Sequence, residues 1–104
     1  MASFDNVSVK KIANVYFDGK CVSHTVTENG IRKSVGVILP PNPLRFDLTT
    51  KEIMEVIDGT AYVSINGEPE QTFTSGQSWT VESGGYFIVR VDQTLHYVCH
   101  FEGI

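Results

Sequence analysis

Glu52-Ile53-Met54-Glu55-Val56-Ile57-Asp58-Gly59 is the stretch whose reading decides the fold of this chain. Just ahead of it, Thr49-Thr50-Lys51-Glu52 has the form of a helix capping box, and Ile53-Met54 could open an amphipathic helix. The β-branched Val56 and Ile57 oppose a helix, and Gly59 arrives about one turn later. As a strand, the segment puts Glu52, Met54 and Val56 on one face and Ile53, Glu55 and Ile57 on the other. Downstream, Gly76-Gln77-Ser78-Trp79-Thr80-Val81-Glu82-Ser83-Gly84 sets a short apolar strand between two turn glycines.

The flanks read the same way. Val15-Tyr16-Phe17 runs into the turn pair Asp18-Gly19, and Cys21 to Thr27 follows as a strand. Glu28-Asn29-Gly30 closes it, and Asn-Gly between β-branched runs is a hairpin signal because both central residues of a type I′ turn need positive φ. Arg32 to Leu39 is the next strand, ended by Pro40-Pro41-Asn42-Pro43. Ala61 to Ile65 alternates into a second hairpin signal at Asn66-Gly67. Gln71 to Thr74, Ser78 to Val81, Tyr86 to Val91 and His96 to Phe101 complete the set. Short strands with frequent turns predict an all-β sandwich or barrel.

The glutamate seven residues before a turn glycine, then the spaced glycines around Ser78 to Val81, resemble the two sequence motifs of the cupins. The resemblance implies a small cupin-type β-barrel, jelly-roll-like, spanning residues 1–104 as a single domain, and it favours the strand reading of Glu52 to Asp58. Cupins commonly carry metal-binding histidines at positions that here fall on Phe46, Leu48 and Phe87, so the resemblance implies a barrel with no metal and no cofactor. With Glu52 facing inward, Met54 and Val56 line the same wall, as do Phe87, Val89 and Val91, while Arg90 faces out. On the last strand the more apolar set, Tyr97, Cys99 and Phe101, is the inward one; His96, Val98 and His100 face out.

With 104 residues the chain can bury a modest core, and 41% apolar residues is ordinary for a folded protein. A net charge of −4 with both signs dispersed argues against nucleic acid as a partner. Met1-Ala2-Ser3-Phe4-Asp5-Asn6 has neither a basic end nor an apolar core, so no secretory signal is expected. No run is long enough to span a bilayer as a helix, so no membrane association is expected. Cys21 and Cys99 are expected to be buried free thiols, and no Cys/His cluster has zinc spacing.

Four longer words occur in one order: Val15 to Lys20, Arg32 to Pro40, Glu52 to Gly59, and Tyr97-Val98-Cys99-His100-Phe101. Together they resemble the pyrimidine/purine nucleoside phosphorylase family of small bacterial cupins, from about Val7 to Phe101. The segment Pro41 to Leu48 and the Gly84-Gly85 turn depart from that pattern. The resemblance implies phosphorolysis of purine and pyrimidine nucleosides to free base and ribose 1-phosphate, without a metal, in the cytoplasm, by a homodimer.

Such chemistry needs a phosphate clamp, negative charge near an oxocarbenium-like ribose, and room for the base. Arg32 is the candidate clamp, with the Ser34 hydroxyl on the same strand face. Glu52 is the candidate partner of the ribose. Phe46, Phe87 and Tyr97, with Met54 beside them, can form an apolar slot for the base. Each residue has a plainer reading as well. Glu52 can be a core carboxylate bonded to Arg32 or to backbone, Arg32 a solvated strand-end charge, and the aromatics simple packing. Two rivals to the enzyme are a metal-free module that binds a small metabolite without turnover, and a metal cupin using His24, His96 and Glu52, against which the spacing and facing of those residues stand.

Overall fold

The structure, a computed structural model, describes residues 3–102. Met1 and Ala2, part of the stretch read for a secretory signal, lie outside the described residues. The strands are β1 (Ser8–Val9), β2 (Asn14–Tyr16), β3 (Cys21–Glu28), β4 (Ile31–Ile38), β5 (Leu44–Asp47), β6 (Glu52–Asp58), β7 (Thr60–Ile65), β8 (Gln71–Thr74), β9 (Ser78–Val81), β10 (Tyr86–Arg90) and β11 (Leu95–Phe101). Glu52–Asp58 is extended throughout, as the β-branched residues require, and the capping-box alternative does not form. The short strand Leu44–Asp47, which falls between the prolines and the capping-box residues, was not among the expected ones.

The strands form two antiparallel sheets. The larger runs β1-β3-β4-β11-β6-β9, with β2 also pairing β3; the smaller runs β5-β10-β7-β8. After the β3–β4 hairpin, the connections β4–β5, β5–β6, β6–β7, β8–β9, β9–β10 and β10–β11 each pass from one sheet to the other. The architecture is the expected cupin-like all-β one, but it is two facing sheets rather than a barrel closed by one continuous ladder.

Local chemistry explains the corners. Asn29 (φ 51°) and Gly30 (φ 78°) make the β3–β4 turn, and Asn66 (φ 51°) and Gly67 (φ 77°) repeat it after β7. At Gly59 the chain leaves the larger sheet with φ 101°, and an added Cβ would lie 2.8 Å from the Thr94 carbonyl oxygen. The motif glycine thus marks where two crossing connections touch. Asn42 ties down the proline loop by accepting from the Val91 amide at 3.0 Å.

The core lies between the sheets. Met54, Val56, Phe87, Val89, Val91 and Leu95 are all at most 3% exposed, so the inward faces assigned from alternation hold. Cys21 and Cys99 are buried free thiols. On the outward face, Val98 is 3% exposed, buried within this chain rather than left open. Ser8 and Val9 of β1 pair with Thr27 and Val26 of β3.

Candidate active site

One end of the space between the sheets is not filled. The cavity there measures about 300 Å³, at the small end of the range for ligand pockets. Glu52, Arg32, Ser34, Phe46, Met54, Phe87 and Tyr97, singled out from the sequence on five different strands, all line it. Asn14, Tyr16, Ser23, Thr25, Cys99 and Phe101 line it too.

Strand register explains the floor. Across the larger sheet one inward row runs Thr25, Ser34, Cys99, Met54, Trp79, each opposite the next. A parallel row runs Asn14, Ser23, Gly36, Tyr97, Val56. Both grade from hydroxyl and amide groups on β2–β4 to apolar groups on β6 and β9. Gly36 is required in its row. A Cβ there would collide with the Val22 carbonyl oxygen and sit 2.7 Å from Ser23 Cβ. The smaller sheet provides the facing wall: Phe46 and Phe87 are opposite in register and their rings stack at 5.0 Å and 18°. Phe17, the first residue after β2, meets Phe46 edge-on at 5.2 Å.

Arg32 and Glu52 do not bond to each other. Phe101, opposite Glu52 on the intervening β11, carries the Arg32 guanidinium 4.9 Å over its ring. No carboxylate of the described residues forms a salt bridge with Arg32. The bond to Arg32 that the plainer reading of Glu52 allowed is thus absent among the described residues. The partner of Glu52 is the Cys99 thiol, which donates to Oε1 at 3.2 Å. Burial pushes the Glu52 carboxyl above its ordinary value, and the thiol bond offsets part of that.

Burial also pushes the Cys99 thiol upward, and the neighbouring Glu52 adds to it. The Tyr97 hydroxyl is raised by burial and by Cys21, whose sulfur lies 3.3 Å from its oxygen. Both stay protonated near neutral pH, so they act in the cavity as neutral dipoles. Arg32 and Glu52 are the guanidinium and the carboxyl among the lining residues.

The other candidates lie elsewhere. His24 bonds the Lys10 carbonyl through Nδ1 at 3.0 Å, and His96 is exposed; neither lines the cavity, so they do not join Glu52 as a ligand set. Leu48 is core, while Phe46 and Phe87 line the cavity with rings that cannot ligate a metal. Glu55 faces outward and meets His100 Nε2 at 2.9 Å. Asn14, Ser23 and Thr25 went unnoticed in the sequence. Alternation along β3 does put Ser23 and Thr25 on the face of Cys21, and the pairing of β3 with β4 places Thr25 opposite Ser34 and Ser23 opposite Gly36.

Known proteins resemble the chain over almost its full length. The family profile for pyrimidine/purine nucleoside phosphorylase matches residues 11–101. A protein of Laribacter hongkongensis named pyrimidine/purine nucleoside phosphorylase is 52% identical over 103 residues, covering 97% of this chain and 99% of that one. A crystal structure of a protein of unknown function from Acinetobacter sp. ADP1 superposes with a TM-score of 0.92 at 44% identity, covering 96% of this chain and 98% of that one. An RmlC-like cupin from Shewanella frigidimarina superposes with a TM-score of 0.69 at 13% identity, covering 95% and 86%, a likeness of fold alone.

Proposed function

The chain belongs to the pyrimidine/purine nucleoside phosphorylase family, and from that premise we propose that its cavity binds a nucleoside and inorganic phosphate and exchanges the base for phosphate at the anomeric carbon. The products are the free base and ribose 1-phosphate, which makes the chain a pentosyltransferase. The carrying observation is the separation of charges in one cavity. Arg32 lies at one side, Glu52 at another, and a stacked aromatic wall faces them both.

The roles follow from that arrangement. Arg32 and Ser34 hold phosphate, since a guanidinium without a carboxylate partner retains its donors for an anion. Phe46 and Phe87, with Met54 and Tyr97 around them, accept the base. An apolar aromatic slot has no hydrogen-bond pattern to satisfy, which fits both purines and pyrimidines. A phosphate oxygen forms the new bond to carbon as the glycosidic bond breaks and its electron pair leaves with the base, which takes a proton from water.

Glu52 acts on the positive charge that develops between these events. Among the described residues its carboxylate accepts from a thiol and forms no salt bridge. The oxocarbenium-like ribose supplies the missing positive charge only near the transition state, so the attraction lowers the barrier more than it tightens substrate binding.

The reaction needs no metal or other cofactor in this reading. We place the protein in the cytoplasm as a homodimer. Among the described residues no helix is long and apolar enough to cross a membrane. Purified protein incubated with uridine and with adenosine should release free base only when phosphate is present. Arg32→Ala should raise the KM for phosphate about 10- to 100-fold, the worth of a charge-assisted hydrogen-bond pair, with less change in the KM for nucleoside. Failure to cleave any nucleoside at any phosphate concentration would leave a metabolite-binding module in place of the enzyme.

A further inference from the structure

The wall built by β2, β3 and β4 carries more polar groups than Arg32 and Ser34 account for. Asn14, Ser23 and Thr25 face the same cavity, and the lining residues of these three strands include no carboxylate. Thr25 is directly opposite Ser34 in the β3–β4 ladder, and Thr27 is opposite Arg32 one inward step further on. Side chains directly opposite in an antiparallel pair stand about 4.5 to 5.5 Å apart at Cβ. Two hydroxyls at that separation can each donate to a different oxygen of one tetrahedral phosphate.

The direction of the Thr25 hydroxyl is set by its neighbour. Asn14 Nδ2 donates to Thr25 Oγ1 at 3.1 Å and to Ser23 Oγ at 3.4 Å. A hydroxyl that accepts a bond still has its own hydrogen to place. Among the described residues, Thr25 Oγ1 accepts from Asn14 and donates to none, and Thr25 lines the cavity. Its hydrogen is therefore available to a ligand oxygen.

We infer that the phosphate seat extends to Thr25, which donates to a phosphate oxygen, with Asn14 as the positioning residue that holds this hydroxyl in its donating orientation. The inference rests on the phosphorylase reading for its ligand. It also orients the substrates. The β3–β4 wall is separated from Glu52 on β6 by β11, and strands lie about 4.8 Å apart. Phosphate on that wall and the carboxylate on β6 then flank a ribose lying across β11, with the base directed at Phe46.

Four variants of the full chain test this: Thr25→Val, which keeps the shape and removes the hydroxyl; Thr25→Ser, which restores it; Asn14→Ala; and Asn14→Asp. Two measurements are made on each, binding of inorganic phosphate by calorimetry without nucleoside, and separate KM values for phosphate and nucleoside. Thr25→Val should weaken phosphate binding and raise its KM by about tenfold, the worth of one hydrogen bond to a charged group, with the nucleoside KM unchanged. Thr25→Ser should behave like the parent. Asn14→Asp should be worse than Asn14→Ala, because a carboxylate captures the Thr25 hydrogen and repels the anion. That excess should shrink as the pH falls and the new carboxyl protonates, a dependence that a merely structural role for Asn14 does not produce.

If phosphate binds and Thr25→Val weakens it while no nucleoside is cleaved, the seat stands and the phosphorylase reading falls. Unaltered phosphate binding in Thr25→Val, with melting curves showing both proteins folded, overturns the inference whatever the activity. So does a parent protein that binds no phosphate.

Discussion

Glu52 shows how burial and chemistry pull one side chain in opposite directions. Its carboxyl is raised above the ordinary 4.5, first by desolvation, with the Cys99 bond acting the other way. The folded protein therefore holds this proton to a higher pH than the unfolded chain does. Stability from this group is greatest below the unfolded value, declines as pH rises through the window up to the folded value, and is level above it. Glu52→Gln removes that decline, because glutamine can still accept from Cys99 and carries no charge to desolvate. The variant should melt above the parent at neutral pH, and the gap should close toward about pH 4. Turnover should move the other way. It should rise with pH as Glu52 ionises, and Glu52→Gln should lose about 10²- to 10³-fold if the carboxylate stabilises the ribose cation. Melting curves and initial rates from pH 4 to 8 on both proteins measure the two slopes. A melting gap independent of pH would mean that Glu52 is not desolvated. Full turnover in a folded Glu52→Gln protein would return Glu52 to a packing role.

At the scale of elements, the β3–β4 hairpin and its neighbour β11 make the polar floor, and Gly36 makes their close approach possible. Gly36 stands opposite Ser23 on one side and Tyr97 on the other. Its missing side chain leaves room where the Val22 carbonyl and Ser23 crowd the backbone. Gly36→Ala should cost about 1 to 3 kcal/mol in denaturant unfolding, the usual range for overpacking. It should also weaken substrate binding, because the strain falls on Ser23. A variant as stable as the parent would show that β3 can shift without cost. These elements were legible where alternation is long. β3, β4, β6 and β11 each have seven or eight residues of readable period. β5 was missed although Leu44 and Phe46 face in while Arg45 and Asp47 pair outside at 3.0 Å, because four residues between prolines and a capping-box sequence give too little pattern. β2, with three residues, concealed Asn14 for the same reason.

For the whole molecule, the outward face of the larger sheet bears on assembly. Val22, Val35, Val37, Ile53 and Ile57 lie there only partly buried, around the buried Val98. That face mixes β-branched side chains with Lys33, Glu55 and His100, and together with the open sheet edges it suits a second copy of this chain as cover, in line with the proposed homodimer. Light scattering at micromolar concentration should give about twice the chain mass, and a mass near one chain would remove the dimer. By itself the sequence determined the all-β class, the turns at Asn29-Gly30 and Gly59, and the residues on each strand's inward face. These depend on positive φ and a two-residue period, both local properties of the chain. Only the tertiary structure decided which inward residues became neighbours. The order β4-β11-β6 joins strands distant in sequence. It sets Phe101 between Arg32 and Glu52 and Cys99 against Glu52. A side chain's face follows from its own strand, but its lateral partners follow from which strands hydrogen-bond side by side, and that pairing is settled by packing the whole chain.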